Sequence, residues 1–246
     1  MRTDRASLGI CHDCLREGLQ CRACGTRIAG EFLLVNGNDG PYCANCFRSR
    51  APCNICAAPA GEGSLILADG RVVCERCRAT AITDLREANA LFERVIDLLS
   101  SSLGLRLNLR PQLALVDHAR LAELSRQGAD DAHDHDKVLG LFVHNGRRRF
   151  IYLQEYLPRI LFIQVVAHEF AHAWQSENCP LLRDSLVREG LAEWVAFHAL
   201  LALDAQKKAA QMIQRPDRYG EGLRKMLALE KQQGAAGVLQ TCLTPC

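Results

Sequence analysis

The sequence predicts an α+β chain in two parts. A tandem cysteine-knuckle module covers residues 1–80, and a mixed domain with a small sheet and a pair of helices covers residues 81–246. Three observations carry this reading. Ten of the 13 cysteines fall into five CxxC pairs, all within the first 80 residues. After Cys77 the apolar residues recur at helical spacing over long segments. Among those segments, VLGLFVHNGRRRFIYLQ (138–154) has the pattern of a β-hairpin, two strand-like runs about an Asn145-Gly146 turn.

The bulk numbers limit the function classes. A chain of 246 residues with 48% hydrophobic and 24% charged residues has the composition of an ordinary globular protein. Its formal charge of +2 gives no general pull toward nucleic acid or membrane. No apolar run is long enough to span a bilayer, and MRTDRASLGICHDC lacks the apolar core of a secretory signal. The expectation is a soluble, cytoplasmic protein. In such a chain, paired cysteines predict thiolate–metal coordination rather than disulfides.

The cysteine-rich part repeats. CRACGTRIAGEFLLVNGNDGPYCANCF (21–47) and CNICAAPAGEGSLILADGRVVCERCR (53–78) share one plan: a CxxC, a turn with Gly, an apolar stretch, a glycine turn and a second CxxC. The gaps between the pairs are 18 and 17 residues. That separation lets two knuckles close a tetrahedral four-cysteine zinc site around a β-hairpin. The predicted sites are Cys21, Cys24, Cys43 and Cys46 for one structural zinc, and Cys53, Cys56, Cys74 and Cys77 for a second. Two such units in tandem resemble a LIM domain. They depart from it in a six-residue spacer between Cys46 and Cys53, where two is usual, and in Cys43, where histidine is common. CHDCLREGLQCRAC (11–24) matches the spacing of CANCFRSRAPCNIC (43–56), so Cys11 and Cys14 read as the second half of a further module and are assigned no zinc. Residues 1–80 hold ten Arg, no Lys and eight Asp or Glu. Each zinc held by four thiolates would add about −2, and no basic cluster with interleaved aromatics appears. A protein partner is therefore expected for this module rather than nucleic acid.

In the second part, ITDLREANALFERVIDLLSSSLG (82–104) predicts a helix ending on Gly104. LRLNL and PQLALVD read as extended, with a short helix around ARLAELSRQ and a polar loop at DDAHDHDK, 130–137. Pro158 suits the first turn of a helix over 158–177. A polar break at 178–184 leads to a helix through SLVREGLAEWVAFHALLALDAQKKAAQMIQ, closed by Pro216, and a last helix covers about 220–233.

The helix at 158–177 contains VVAHEFAHAWQ. Residues four apart share a helix face, so His168 and His172 can present ring nitrogens to one ion. Glu169 projects beside them, able to take a proton from water without being a ligand. A zinc held by two histidines usually takes one carboxylate as its third protein ligand. Sixteen residues separate His172 from Glu189 in REGLAEW, and Glu193 lies one turn further on the same face. Either glutamate is within reach of the pair by spacing alone.

HExxH followed by a helix bearing the third ligand resembles the gluzincin metallopeptidases, and EGxAEW is similar to the third-ligand motif of zinc aminopeptidases. More closely, LPRILFIQVVAHEFAHAW, VREGLAEWVAFHA and YGEGLR (219–224) resemble the plant LIM-containing growth-restricting peptidases, the DA-one family, and their bacterial relatives. There, LIM-type modules precede a HExxH domain. The resemblance implies that His168, His172 and Glu189 hold a catalytic zinc and that Glu169 is the general base. It places the ligand on the glutamate before Gly190, a residue expected to let the preceding helix approach closely. Glu193 is then expected to orient a ligand histidine. Plant members are activated by ubiquitin, but no ubiquitin-interacting segment appears here, so that property is not carried over.

The expected chemistry is peptide hydrolysis by metal-activated water, with an extended protein or peptide substrate on the edge of the 138–154 hairpin. Tyr219 is the first candidate donor to the developing oxyanion and His198 a weaker one. The alternative is a non-catalytic, zinc-stapled protein-interaction adaptor with a degenerate peptidase fold. Glu169 discriminates, since an adaptor has no use for it.

Overall fold

The computed structural model describes residues 18–35, 40–128, 138–146 and 148–243. Cys11, Cys14 and the 130–137 loop lie outside the described residues. The chain divides into two compact units, Met1–Thr80 and Ala81–Cys246.

In the first unit each half of the repeat begins with a tight CxxC turn. Cys21 N–H donates to Thr26 O at 2.9 Å and Gly25 N–H to Cys21 O at 2.8 Å. Cys53 N–H to Ala58 O and Ala57 N–H to Cys53 O, both 2.8 Å, repeat the pattern. The residue after each pair is left-handed, at φ 70° for Gly25 and 59° for Ala57. Alanine accepts that conformation at a cost of roughly 1–2 kcal/mol, and the surrounding turn enforces it. Antiparallel hairpins follow, β1 (Phe32–Leu34) with β2 (Pro41–Cys43) and β3 (Leu65–Ile66) with β4 (Val72–Val73). Short helices α1 (Ala44–Ser49) and α2 (Glu75–Ala79) then start at the third cysteine of each set. Cys43 and Cys74 are their N-cap residues, so Cys46 and Cys77 fall in the first turn, facing back.

The second unit opens with α3 (Leu85–Ser102), capped by Asp84, whose carboxylate accepts from Glu87 N–H. Gly104 at φ 70° ends it, as the sequence predicts. Of the two extended stretches, only the second becomes a strand, β5 (Gln112–Val116), followed by α4 (His118–Gly128). The hairpin is β6 (Gly140–Asn145) and β7 (Arg148–Gln154). Asn145 still pairs with Arg148, so the turn begins one residue later than expected, at Gly146 with φ 58°. The sheet order is β5-β7-β6, with β5 parallel and β6 antiparallel to β7. One edge of β6 is therefore unpaired by any strand among the described residues.

Helix α5 (Arg159–Asn178) is buried nearly all round, from Phe162 to Gln175, as a helix with little amphipathicity must be. It packs on the sheet and on α6 (Ser185–Ala202), whose N-terminus Asp184 caps by accepting from Leu186 and Val187 N–H. The single long helix expected over 185–214 is in fact two. The chain turns at Leu203, Asp204 (φ 58°) and Ala205, and α7 (Gln206–Ile213) follows. The periodicity continues through the turn, but reversal lets Ala209 and Met212 bury in the same core. Segment α8 (Arg218–Leu243) is two helical stretches meeting at a kink at Gly234, φ 71°. The first stops at this glycine, where the sequence predicts its end, and a second follows. Trp194, Phe92, Phe162 and Phe170 are the largest fully buried side chains of this core.

Gly190 receives α8 and not the preceding helix that the sequence predicts. A Cβ on Gly190 would lie 2.8 Å from Gly222 O, and one on Gly222 2.7 Å from Gly190 Cα, so α6 meets α8 backbone to backbone. No rotamer change relieves such a contact. Gly190→Ala or Gly222→Ala is thus expected to cost stability at the upper end of about 1–3 kcal/mol, more than the roughly 1 kcal/mol gained in helix propensity. Thermal unfolding checks this, and an unchanged or higher midpoint in both variants would refute the close crossing.

Candidate functional site

Among the described residues three groups converge as metal donors: Cys21, Cys24, Cys43 and Cys46; Cys53, Cys56, Cys74 and Cys77; and His168, His172 and Glu189. Within each group the donor atoms lie within 4.8 Å of one another.

The two four-cysteine sites are built alike. Cys43 N–H donates to Cys21 Sγ at 3.3 Å, and Cys74 N–H to Cys53 Sγ at 3.4 Å. Backbone amides pointed at sulfur stabilise thiolate character. Cys56 and Cys74 Sγ are 3.7 Å apart, close to the roughly 3.8 Å that tetrahedral zinc with 2.3 Å bonds imposes. Hydrogen bonds to Thr26 pull the Cys24 thiol down to about 6, which favours its thiolate form. None of the ten described cysteines forms a disulfide.

The third group draws on two helices. His168 and His172 stand one turn apart on α5, with their Nε2 atoms 3.1 Å apart. Glu189 Oε2, from α6, is 3.4 Å from each. Three ligands bound tetrahedrally at about 2.0–2.2 Å from one zinc would be about 3.3 Å apart. Two imidazole nitrogens and a carboxylate oxygen at these separations make a possible zinc site.

Each remaining side chain at this site is held. Burial works to lower the His168 pKa, but hydrogen bonds to Glu189 and Glu193 outweigh it and hold it well above the usual imidazole value. Burial likewise opposes ionisation of Glu189, yet the His168 and His172 rings beside it bring its carboxyl well below the usual range. Glu193 Oε1 sits 3.2 Å from His168 Nδ1, the nitrogen facing away from the donor triangle. Glu169, 7% exposed, accepts at Oε2 from the backbone N–H of Phe142 on β6, 2.8 Å away. Gly140 makes that approach possible, because a Cβ there would stand 2.3 Å from Val165 Cγ1 and 3.0 Å from Glu169 Cγ.

Of the two oxyanion candidates, only Tyr219 is at the site, its ring 6.1 Å from that of His168. Burial pushes its phenol up to about 12, with Glu189 and Glu193 adding to the shift, so it keeps its proton. His198 is instead bonded to Glu230 at 3.1 Å and packed on Trp194. It lies nine residues, roughly 13 Å, along α6 from Glu189, away from the donor triangle.

Two residues at the site escaped the sequence reading. Gln175 contacts His172 Nδ1 at 2.8 Å, and Arg215 lies 3.6 Å from Glu193 and 4.9 Å over the Tyr219 ring. Gln175 sits at i+3 from His172, a readable signal. Arg215 follows the short α7 in a loop, and nothing local announces it.

Comparison with protein families finds a LIM domain at residues 20–81. No curated protein matches the chain, and no solved structure matches it. Among the described residues no helix is long and apolar enough to cross a membrane.

Metal analysis of the purified chain is expected to return two zincs on the cysteine module, with Cys53→Ser or Cys77→Ser removing one of them. A single equivalent on the module would break the 21–46 and 53–77 pairing.

Proposed function

We propose that residues 81–246 form a zinc-dependent, gluzincin-like endopeptidase domain, directed to protein partners by the LIM module. The observation that carries this reading is the triangle of His168 Nε2, His172 Nε2 and Glu189 Oε2, 3.1–3.4 Å on a side, with the Glu169 carboxylate beside it. Two histidines with one carboxylate are a donor set of catalytic zinc, and buried nitrogen and oxygen donors at tetrahedral spacing suit that ion. Zinc held there would polarise a peptide carbonyl and acidify water.

The chain's own residues supply the rest. The Phe142 N–H engages Glu169 Oε2, leaving Oε1 for the attacking water. Glu169 takes the water's proton as the new C–O bond forms, then returns it to the amine as the C–N bond breaks. Tyr219 O–H donates to the oxygen on which charge develops, and Arg215 over its ring steadies it. An extended peptide pairs with the open edge of β6, where backbone hydrogen bonds give affinity with little sequence demand.

One observation favours a second reading. LIM domains generally mediate protein–protein interactions, and this one spans residues 20–81. An adaptor would keep the fold without the proton chemistry, and in it Glu169 has no task.

A peptide-library assay on zinc-loaded chain, with and without chelator, separates the two. Cleavage that chelator abolishes supports the peptidase, whereas no cleavage at full zinc loading supports the adaptor. Glu169→Gln is expected to lower cleavage at least ~100-fold while zinc content and thermal stability stay near wild type. Persistent activity would remove Glu169 from the mechanism.

The two α6 glutamates are distinguished by metal retention. Glu189→Ala is expected to lose most zinc from this site, because two histidines remain. Glu193→Ala is expected to keep the metal with affinity or activity weakened about 10–100-fold, the usual effect of losing a histidine's outer partner. The reverse ranking would transfer the ligand role to Glu193.

A further inference from the structure

We infer that Gln175 is a positioning residue for the metal centre, fixing the tautomer of His172 and joining the two helices that carry the donor set. The inference rests on the metal-site reading above. Gln175 is 4% exposed and sits one turn beyond His172 on α5. Its amide makes two contacts of 2.8 Å, Oε1 with His172 Nδ1 and Nε2 with the backbone carbonyl of Arg188.

The second contact decides the first. A carbonyl oxygen only accepts, so the amide must turn its NH2 toward Arg188, which leaves Oε1 facing the imidazole. Oε1 also only accepts, so Nδ1 of His172 must carry a proton. A neutral imidazole has one N–H, and Nε2 is therefore the nitrogen with the lone pair. That Nε2 is the atom 3.1 Å from His168 Nε2 and 3.4 Å from Glu189 Oε2. The opposite tautomer would set two lone pairs against each other at 2.8 Å in a buried place, and turning the amide over would do the same at Arg188.

The Arg188 carbonyl belongs to the residue before Glu189, so one side chain holds both the ring angle of His172 on α5 and the backbone beside Glu189 on α6. The two histidines are thus oriented differently, His168 by the carboxylate of Glu193 and His172 by a neutral amide. A neutral partner fixes the ring without adding a negative charge to a site that already buries Glu169, Glu189 and Glu193.

The test uses the full chain with its cysteine sites zinc-loaded, comparing wild type, Gln175→Leu and Gln175→Glu. Leucine removes both hydrogen bonds, whereas glutamate restores the acceptor to His172 alone. Competition with a chelator of known affinity reads the dissociation constant of the third zinc. It is expected to rise about 10–100-fold in the leucine variant and to recover most of that in the glutamate variant. Imidazole nitrogen NMR with the third site empty, at a pH where His172 is neutral, reads the tautomer. It is expected to be Nδ1–H in wild type and a mixture in the leucine variant. Unchanged zinc affinity and tautomer in Gln175→Leu, with only a lower melting temperature, would reduce Gln175 to a packing residue. If that variant does not fold, an Nε2–H tautomer of His172 in Gln175→Glu overturns the inference, and an Nδ1–H tautomer at near-wild-type affinity supports it. A wild-type chain that takes up only two zincs would remove the metal-site reading instead, and the wild-type tautomer would still decide whether Gln175 sets His172.

Discussion

A buried carboxylate has to be answered by a positive charge or by hydrogen-bond donors, and the Ala81–Cys246 unit buries three of them between α5 and its neighbours. Glu169, Glu189 and Glu193 are 7%, 3% and 4% exposed. An ionised carboxylate left alone there would cost several kcal/mol. Glu169 accepts from an edge-strand amide, Glu189 lies against the His168 imidazole, and Glu193 Oε1 faces His168 Nδ1 and Arg215. Glu193 Oε2 is buried with no hydrogen-bond partner among the described residues. The separation and register of α5 and α6 follow from this requirement as much as from apolar packing, because a slip of one residue would leave the charges unmatched.

The sheet takes part in the same arrangement. Only three strands are present in it among the described residues, too few to be a core in their own right. Their work is to bring the backbone of β6 against α5, and the missing side chain at Gly140 sets how near it comes. A backbone amide thereby reaches Glu169 without any other side chain entering the site. Apolar residues surrounding the motif, Val165, Val166, Ala167, Phe170 and Ala171, hold the helix still. Rigid support of this kind is what lets a few polar atoms keep ångström-level geometry.

Much of this was legible in the residues themselves. The CxxC spacings gave the cysteine sets, because local turns fix the two sulfurs of each pair. The HEFAH spacing put two imidazoles on one helix face, since a rigid helix translates sequence distance into space. What stayed hidden was whatever depended on chain reversals. The 185–214 periodicity continues through Leu203–Ala205, and only the core that Ala209 and Met212 enter reveals the turn. Arg215 reaches the site by way of that turn, so no local pattern marked it. Gly190 was recognised as a close-approach residue but given the wrong neighbour, because a glycine says that something comes near without saying what. Tyr219 already ranks ahead of His198 in the sequence, and packing separates them fully, with Tyr219 beside His168 and His198 against Trp194.

The crossing of Gly190 and Gly222 has an implication for how this unit can vary. Most core contacts can be renegotiated: a larger side chain on one helix is accommodated by a smaller one opposite, and total volume is kept. Here both partners already have no side chain, and the atoms in contact are peptide backbone. Nothing on either side remains to be trimmed. Any added volume must displace a whole helix, and α6 is the helix that holds Glu189 immediately before the contact. The crossing thus behaves as a fixed pivot, one whose sequence freedom is close to nil while the apolar layers around it can drift.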